Sequence, residues 1–538
     1  MKKKLLFIAA TAVMLSIPKI TLGQAPSLGS ASNYVLFTSG GAVGNTGVTR
    51  ITGNIGTQVG AITSFGNIDG VVNAANAATT LCATDLATAY AQLNATPATT
   101  NHAAVFGGGE TLVAGVYSVA AAGSAATTLS LDAQGNGNAV FIFKIGGAFT
   151  TGAATKVYLI NGAQACNVFW KVEGAVSLGA GTIMKGTVIA NGAAVSIAAG
   201  CKVEGRMFST AGAIAIDGSV AYLPLGCGSP TLTGPAAPAL GITECFALFS
   251  SIGAVTNSVV STITGDVGTN VGLTSGFTAS NVIGTIHPAP DAFTGSCATD
   301  LMLVYNSLNV LTPDIELLYP AQLGNKLVLT PHTYTLNAAT MLTDTLFLNA
   351  QNNANAVFVI SINGALTTST DAKVILTNGA QAKNVFWLVK GSTSINTNSN
   401  FIGTIVCFNG NIDLSTGVDL NGRALTTSGA LTTNSVTVVK PSNCNPTGIN
   451  SLTANKNAVI NIYPNPFNTS VNINLNNLSP AENIKLEIYN VAGELIMSTT
   501  LTEQLSNIET ADLATGFYFY KVISNHKTIQ SGKLISQK

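Results

Sequence analysis

The sequence contains few charged residues. Among its 538 residues, 23 are Lys or Arg and 23 are Asp or Glu, so charged side chains make up 9% and the formal net charge is zero. An ordinary soluble domain has about 25% charged residues. Nucleic-acid binding is excluded, because neutralising phosphates requires clustered Lys and Arg. Disorder is excluded as well, since disordered chains are hydrophilic and this chain is 47% hydrophobic. Ser, Thr, Asn, Gly and Ala must therefore cover its surface.

The usual signatures of a metal or cofactor site are also lacking. The 4 His residues are far apart and no Cys-x-x-Cys pair occurs, although zinc sites typically use such spacings. We therefore predict no metal and no cofactor. The 8 cysteines allow roughly a hundred disulfide pairings, and the sequence does not select among them.

The N-terminus has the composition of a secretory signal. Three lysines, Lys2–Lys4, precede an apolar run from Leu5 to Ile17, and small and polar residues follow from Thr21 to Gln24. This order is that of a signal peptide, whereas a membrane anchor needs about 20 apolar residues. We predict a signal peptide over residues 1–23, no membrane span in the mature chain, and a secreted or cell-surface location.

A long internal repeat organises the chain. The segments Asn138–Trp170 and Asn355–Trp387 are identical at 21 of 33 positions without a gap. Two copies of one domain are predicted over residues 27–225 and 240–440, joined by a Pro/Gly-rich linker over 226–239. A second linker over 441–450 precedes a different segment over 451–538.

A shorter repeat of 18 to 20 residues occurs within each copy. Its segments begin at glycines, such as Gly174, Gly192 and Gly212, or Gly391, Gly410 and Gly429 in the second copy. Each alternates apolar and small polar residues, which indicates a strand with one buried face. The predicted inward residues of the first copy are Val176, Leu178, Val195, Ile197, Ile214 and Ile216. Such a short unit buries its apolar face only by stacking on its neighbours, so each copy is predicted to be a parallel β-helix.

One segment of each copy has helical spacing instead. In Thr79–Ala95 the apolar residues Leu81, Leu86, Tyr90 and Leu93 recur close to the helical period, and a similar segment begins at Ser296. We predict one helix packed along each β-helix. Asp85 and Asp300 of the repeated CATDL motif are predicted to be solvated or to cap a helix.

The outward residues of stacked coils form straight rows at about 4.8 Å spacing. A row of short uncharged side chains neither steers ions nor clamps phosphates, but it can hold ordered water and suits binding to a crystalline surface. Thr and Ser are also common on any β surface. Ala215 and Asp413 interrupt the rows. The candidate residues are Thr150, Thr155, Ser177, Thr182 and Ser196 in the first copy and Thr367, Thr368, Ser394, Thr397, Thr416 and Thr432 in the second.

The ordered blocks LGSASNY, TGNIGT, CATDL, NAVFIFKIGGAFTT, INGAQACNVFWKV and KGTVIA resemble the bacterial and fungal ice-binding (antifreeze) protein family. The resemblance implies an all-β dominated fold, namely two tandem discontinuous right-handed parallel β-helices, each with one long α-helix alongside. It implies that one flat Thr/Ser/Ala-rich face adsorbs to an ice crystal surface and inhibits ice growth or recrystallisation. The T-A/G-x-T/N motif of some members occurs at Thr46–Thr49 and Thr278–Asn281, outside the repeated segments.

The C-terminal segment has a resemblance of its own. The blocks IYPNPF, LEIYNVAGELI, LATGFYFYKV and GKLISQK are similar to the type IX secretion sorting domain of Bacteroidota. This implies a small C-terminal β-sandwich, recognition by the type IX secretion machinery, and release or surface attachment after export.

Two other functions remain open from the residues themselves. β-Helices also host polysaccharide lyases and glycosidases, which need paired carboxylates or a metal in a groove. The second copy has Asn434, Lys390 and Asn421 at the positions of Asp217, Glu173 and Glu204 in the first copy. Catalysis shared by both copies is therefore not expected, and we predict no enzyme. The second alternative is a cell-surface adhesin or structural protein that binds carbohydrate or other cells.

Overall fold

A computed structural model of the chain describes residues 23–227, 231–441, 460–475, 484–491, 493–524 and 527–537. Nearly all of the predicted signal peptide and of the linker 441–450 lies outside the described residues. The chain divides into two compact units, residues 1–446 and 447–538. Within the described residues, no helix combines the length and apolarity needed to cross a membrane.

The first unit contains two β-helical domains built on one plan, each with three sides. An 8-stranded parallel sheet forms one side, and a 14-stranded sheet wraps around the other two. The wrapping arises because long strands such as Ile183–Ala190 pair with different neighbours at their two ends. The fold class predicted from the sequence is confirmed.

In the first domain, the strands of the 8-stranded sheet, in spatial order, are Ile62–Thr63, Val43–Thr46, Ile214–Asp217, Val195–Ile197, Val176–Leu178, Phe149–Thr151, Gly123–Ala126 and Val105–Gly107. The strands of the 14-stranded sheet are Val72–Ala74, Asn54–Thr57, Tyr34–Thr38, Lys202–Ser209, Ile183–Ala190, Val168–Val172, Phe141–Ile145, Gly115–Val119, Thr100–Asn101, Thr128–Asp132, Lys156–Ile160, Glu110–Val113, Val220–Tyr222 and Arg50–Thr52.

In the second domain, the strands of the 8-stranded sheet, in spatial order, are Thr274–Ser275, Val255–Asn257, Leu431–Thr433, Ile412–Leu414, Thr393–Ile395, Leu366–Thr368, Thr340–Thr343 and Leu323–Gly324. The strands of the 14-stranded sheet are Val282–Ile283, Thr262–Thr264, Thr437–Val439, Asp419–Thr426, Asn400–Cys407, Val385–Val389, Phe358–Ile362, Thr333–Leu336, Ile315–Glu316, Phe246–Ser250, Asp266–Thr269, Leu327–Leu329, Thr345–Asn349 and Lys373–Thr377. Short 3-10 turns occur at Gly29–Asn33, Ala165–Asn167, Gly241–Glu244, Pro320–Gln322 and Ala382–Asn384.

The coils do not stack in the order of the chain. The N-terminal strand Val43–Thr46 pairs with Ile214–Asp217, the strand of the 8-stranded sheet that comes last in the sequence. The N-terminal coil therefore stacks on the coil that comes last in the sequence of the domain. The chain must then return along the stack, and helix α1 (Ala77–Ala95) does so, covering about 28 Å at about 1.5 Å per residue. Helix α2 (Ala292–Asn309) has the same role in the second domain.

The helices pack along the 14-stranded sheets as predicted. The buried residues of α1 include Cys82, Leu86, Ala89 and Leu93, which share a core with Phe37 and other sheet residues. Leu81 was expected to belong to this buried face, but it is 55% exposed. At about 100° per residue it lies far around the helix from Leu86, whereas the i, i+4, i+7 and i+11 positions from Cys82 face the sheet.

The predicted inward residues from Val176 to Ile216 are all buried, and the glycines that begin the segments have a steric role. Gly364, Gly391, Gly410, Gly429, Gly253 and Gly272 form one column at the corner before the 8-stranded sheet of the second domain. A Cβ built on Gly410 would lie 2.4 Å from the carbonyl carbon of Gly391. Stacked coils therefore approach too closely at this corner for any side chain.

We expect Gly410→Ala to lower the free energy of unfolding of the second domain by about 1–3 kcal/mol, the usual range for overpacking. A urea titration with two-domain resolution measures the change. Gly66→Ala is the matched control, because no atom lies within 4 Å of a Cβ at that position. Equal stability of the two variants would contradict the steric role of the column.

Asp85 fastens the N-terminal 3-10 turn to α1, as the capping prediction allows. Its Oδ2 accepts hydrogen bonds from the Ser30 backbone N at 2.7 Å and from the Ser30 hydroxyl at 2.6 Å. The equivalent Asp300 accepts from the Ile242 backbone N at 2.7 Å. The hydrogen bonds from Ser30 hold the pKa of Asp85 below its usual range.

An acid dependence follows from this lowered pKa. The contribution of Asp85 to stability is present above the pKa of an unfolded Asp, about 3.9, and is lost as the pH falls through the lower folded-state pKa. We expect Asp85→Asn to be less stable than the wild type near pH 7 and to approach it in strong acid. Melting temperatures across pH test this, and a difference of constant size at all pH values would contradict it.

The second unit consists of two antiparallel sheets. One contains Ile460–Tyr463, Ser470–Leu475 and Leu505–Glu509, and the other contains Leu495–Leu501, Ile484–Tyr489, Gly516–Ser524 and Lys527–Ser536. Residues of both sheets, among them Val471, Ile473, Leu486 and Ile488, share one buried core. This arrangement is the predicted β-sandwich.

Candidate functional site

The outward residues of each 8-stranded sheet form an in-register row, which we call the ladder. In the first domain, consecutive partners across the strands are Val105, Ser124, Thr150, Ser177, Ser196, Ala215, Gly44 and Thr63. In the second domain they are Met341, Thr367, Ser394, Asp413, Thr432, Thr256 and Ser275. At about 4.8 Å per strand, the first ladder extends over about 34 Å.

Strand alternation makes the ladder accessible to solvent. In the central strands the residues on either side of the ladder position are buried, as Val176 and Leu178 are beside Ser177. Thr150, Ser177 and Ser196 are exposed, while Thr367, Ser394 and Thr432 are half-buried. The structure therefore brings these six candidates together on two ladders. Short side chains on a flat sheet leave no groove, so a rigid extended surface is the partner that this shape accommodates.

Three of the candidates are not on the surface. Thr155, Thr182 and Thr368 are each 0% exposed, so the expectation that they belong to an outward face is wrong. Thr155 and Thr182 occupy corners, where their hydroxyls donate to the Gly152 carbonyl at 2.9 Å and the Gly179 carbonyl at 2.6 Å. The backbone N–H groups of the same threonines also donate to these carbonyls, so each threonine closes its corner turn.

Thr368 is inward because it follows Thr367 in the same strand, and successive side chains of a strand point to opposite faces. Its hydroxyl lies 3.1 Å from that of Ser399. Thr397 and Thr416 are exposed, but they lie in the turns after the ladder strands. The Asn398 N–H donates to the Thr416 carbonyl at 3.0 Å, so these turns stack along the border of the ladder.

Sequence reasoning missed the ladder residues of the N-terminal coils, namely Gly44, Thr63, Thr256 and Ser275. They are distant in sequence from the regular segments and join the ladder only because the first coil stacks on the last. A signal was present: GAVGN at Gly41 and GAVTN at Gly253 follow the same Gly-Ala pattern as the segments that were recognised. Ser124 and Met341, before the regular spacing begins, were missed as well.

Asp413 is the one carboxylate in the ladder of the second domain. Its Oδ1 accepts a hydrogen bond from the Thr432 hydroxyl at 2.5 Å, which engages the only proton of that hydroxyl. An ionised carboxylate also holds its own hydration shell. The equivalent position of the first domain is Ser196, and there Ala215 and Gly44 interrupt the row of hydroxyls instead.

Charge is concentrated on other sides of the coils. Lys156, Lys202 and the Lys185–Glu204 ion pair, with 2.5 Å between Nζ and Oε2, lie on strands of the 14-stranded sheet. Arg206 lies on the same sheet, where it is buried and its Nε donates to the Ser32 carbonyl at 2.9 Å. Burial lowers the pKa of Arg206 to about 10. The first ladder thus carries no charged side chain.

The acidic residues considered for catalysis have structural partners. Glu173 accepts hydrogen bonds from the Tyr90 hydroxyl at 2.8 Å and the Asn191 amide at 2.7 Å, and it pairs with Lys171. Burial raises its pKa, but the bonds from Lys171, Asn191 and Tyr90 outweigh burial and hold it below the usual range. These contacts fasten α1 to the sheet. Among the described residues, no group of His, Cys, Asp and Glu is arranged to hold a metal ion.

Comparison with known proteins agrees with this architecture. Residues 37–221 and 250–439 each match the ice-binding-like domain family, and residues 461–537 match the secretion system C-terminal sorting domain. The sorting domain and the family together place the protein outside the cell or at its surface.

Individual relatives match one or both domains. The crystal structure of an ice-binding protein from an Antarctic Flavobacteriaceae bacterium is 52% identical, covers 78% of this chain and 100% of its own, and superimposes with a TM-score of 0.77. An ice-binding protein of Nostoc sp. (strain HG1) is 36% identical over 33% of this chain and 65% of its own length, just under two thirds. One from Flavobacterium frigoris (strain PS1) is 32% identical over 37% of this chain and 75% of its own. The chain therefore belongs to the ice-binding-like family, with two tandem family domains followed by a C-terminal sorting domain.

Proposed function

We propose that this protein adsorbs to ice through the ladders of its two β-helical domains and thereby inhibits ice growth or recrystallisation. The observation that carries the proposal is the in-register row of short side chains in each domain, hydroxyl-bearing at most positions and uncharged except at Asp413. Membership of the ice-binding-like family supports the same function.

The physical argument concerns water at a flat rigid surface. Hydroxyls fixed at a constant spacing on a sheet hold bridging waters at modest entropic cost, because neither the backbone nor the short side chains must be ordered on binding. Apart from Asp413, no ladder residue carries a charge whose own hydration shell would compete for these waters. Binding to a crystal of water needs no catalytic group, and we propose that the protein is not an enzyme.

Growth of a single ice crystal in the purified protein tests the function. We expect shaped crystals, a gap between melting and freezing temperatures (thermal hysteresis), and suppressed recrystallisation. Unshaped crystals with neither effect would contradict ice binding. Binding to glycans or cell surfaces in that case would favour the alternative, an adhesin.

We further propose that the type IX secretion machinery recognises the C-terminal sorting domain. Removal of residues 451–538 is expected to leave the two β-helical domains inside the cell envelope, measured by fractionation. Unchanged export of the truncated chain would contradict this role.

A further inference from the structure

A direct polar contact joins the two β-helical domains. Asn67 lies between strands Ile62–Thr63 and Val72–Ala74, which form one end of the two sheets of the first domain. Its amide Nδ2 donates to the Tyr319 carbonyl at 2.9 Å and its Oδ1 accepts from the Tyr319 N–H at 2.8 Å. Tyr319 lies in the second domain between strands Ile315–Glu316 and Leu323–Gly324, which follow helix α2 in the sequence. Both bonds join the side-chain amide of Asn67 to the backbone of Tyr319, 252 positions away in the sequence.

Asp69 is at the centre of this junction and is 2% exposed. Its Oδ2 accepts from the Thr330 hydroxyl at 2.7 Å and from the Thr330 N–H at 3.1 Å, while its Oδ1 accepts from the Tyr334 hydroxyl. Burial raises the pKa of Asp69 and of Tyr334 above their usual values. Removing these partners would leave the buried carboxyl group without hydrogen bonds, which strongly destabilises a folded structure.

The internal repeat shows that the coil fold does not need these residues. Asp69 pairs with Thr52, and the equivalent Thr264 of the second domain pairs with Ile283. Ile283 is 71% exposed. Asp69 thus lies at the end of the first domain that contacts the second domain. At the equivalent end of the second domain, which does not form this junction, Ile283 takes its place.

The hydrogen-bond donors to Asp69 in the second domain can also be compared with their equivalents in the first domain. An offset of 217 residues relates Thr330 and Tyr334 to Val113 and Tyr117 of the first domain. Both tyrosine hydroxyls contact the carbonyl four residues before them, at 2.6 Å for Tyr334 and 2.7 Å for Tyr117. The tyrosine therefore belongs to the coil, whereas the threonine at position 330 is specific to the junction.

The linker provides a second attachment. A disulfide joins Cys166 to Cys227 at its start, and Gln164 Oε1 accepts from the Cys227 N–H at 2.7 Å. Further along, the Thr233 carbonyl accepts from the Val357 N–H of the second domain at 2.9 Å. Both ends of the linker are therefore held on the domains that it connects.

We propose that Asp69 is a positioning residue that locks the two β-helical domains in one orientation, so that both ladders meet ice as parts of one rigid unit. This rests on the proposed function. A rigid pair presents its second ladder at high effective concentration once the first has bound. It also avoids the loss of conformational freedom that a hinged pair would undergo on binding.

The test uses the full chain with spin labels at Lys202→Cys and Lys373→Cys, two exposed positions outside the ladders. We expect a narrow distance distribution in the wild type and a broad one after Asp69→Ala or Thr330→Val. Thermal hysteresis per molecule should fall by at least half in both variants, while Asp69→Asn retains more of it. The double variant should be no worse than either single one, because the two residues share one contact.

Ile283→Asp is the matched control, since it places a carboxylate at the equivalent position of the second domain. It should change neither the distance distribution nor the hysteresis. An unchanged distribution in Asp69→Ala and Thr330→Val would overturn the lock, and a broad distribution with full hysteresis would overturn its role in ice binding. A wild type that lacks hysteresis would instead refute the proposed function, and the spin-label distances would still report on the lock.

Discussion

Replacing Thr367 and Thr432 with tyrosine is expected to remove most of the thermal hysteresis that the second domain contributes. Both side chains are half-buried rungs of a flat ladder, so a tyrosine ring at either position would stand above its neighbours. It would separate several adjacent rungs from a flat crystal face and displace the waters they hold. We expect the hysteresis of the double variant to fall by at least half, measured on single ice crystals at matched protein concentration.

The control for this prediction is Thr437→Tyr. Thr437 is an exposed threonine of the coil that contains Thr432, but it lies on the 14-stranded sheet. Its replacement should leave hysteresis and melting temperature unchanged. Equal loss of activity in the control and the ladder variant would place the ice-binding surface elsewhere, and a lowered melting temperature in the ladder variant would identify misfolding as the cause.

Replacing Asp413 with threonine is expected to raise the activity of the second domain. The substitution removes the only charge among its ladder residues and frees the Thr432 hydroxyl, which now donates to Asp413 Oδ1. An unbroken row of hydroxyls would then run from Thr367 to Ser275. If the ladders bind ice as proposed, a longer unbroken row would hold more ordered water against the crystal, and we expect at least a twofold gain in hysteresis.

Asp419→Thr is the matched control for this gain, since Asp419 is an exposed carboxylate on a neighbouring strand outside the ladder. It changes net charge by the same amount and should leave hysteresis as it is. A similar gain in both variants would point to net charge instead of the ladder. A loss in Asp413→Thr would show that the carboxylate itself takes part in ordering water.

Particular residues show how far the sequence could be interpreted. The alternation around Ser177 and Ser196 was sufficient to place them outward, because a strand with one buried face allows only one assignment. The same reasoning failed for Thr155 and Thr182, since a corner residue is not part of a strand and its hydroxyl turns inward to bond a carbonyl. Leu81 failed for a related reason, because helical spacing identifies a stripe but not its limits.

By itself, the sequence determined the repeated β-helical plan, the helix beside each copy, the C-terminal sandwich and the low charge of the surface. The β-helical plan and the helices follow from periodicity along short stretches of chain and the low charge follows from composition, whereas the sandwich was implied by the resemblance of the C-terminal segment. Only the tertiary structure decided the length of the ladders, because Gly44, Thr63, Thr256 and Ser275 join them through coils that stack out of chain order. It also decided the junction at Asp69, where a buried carboxyl group finds its partners in the other domain, more than 250 residues away. No local pattern encodes such a contact, since it exists only after both domains have folded.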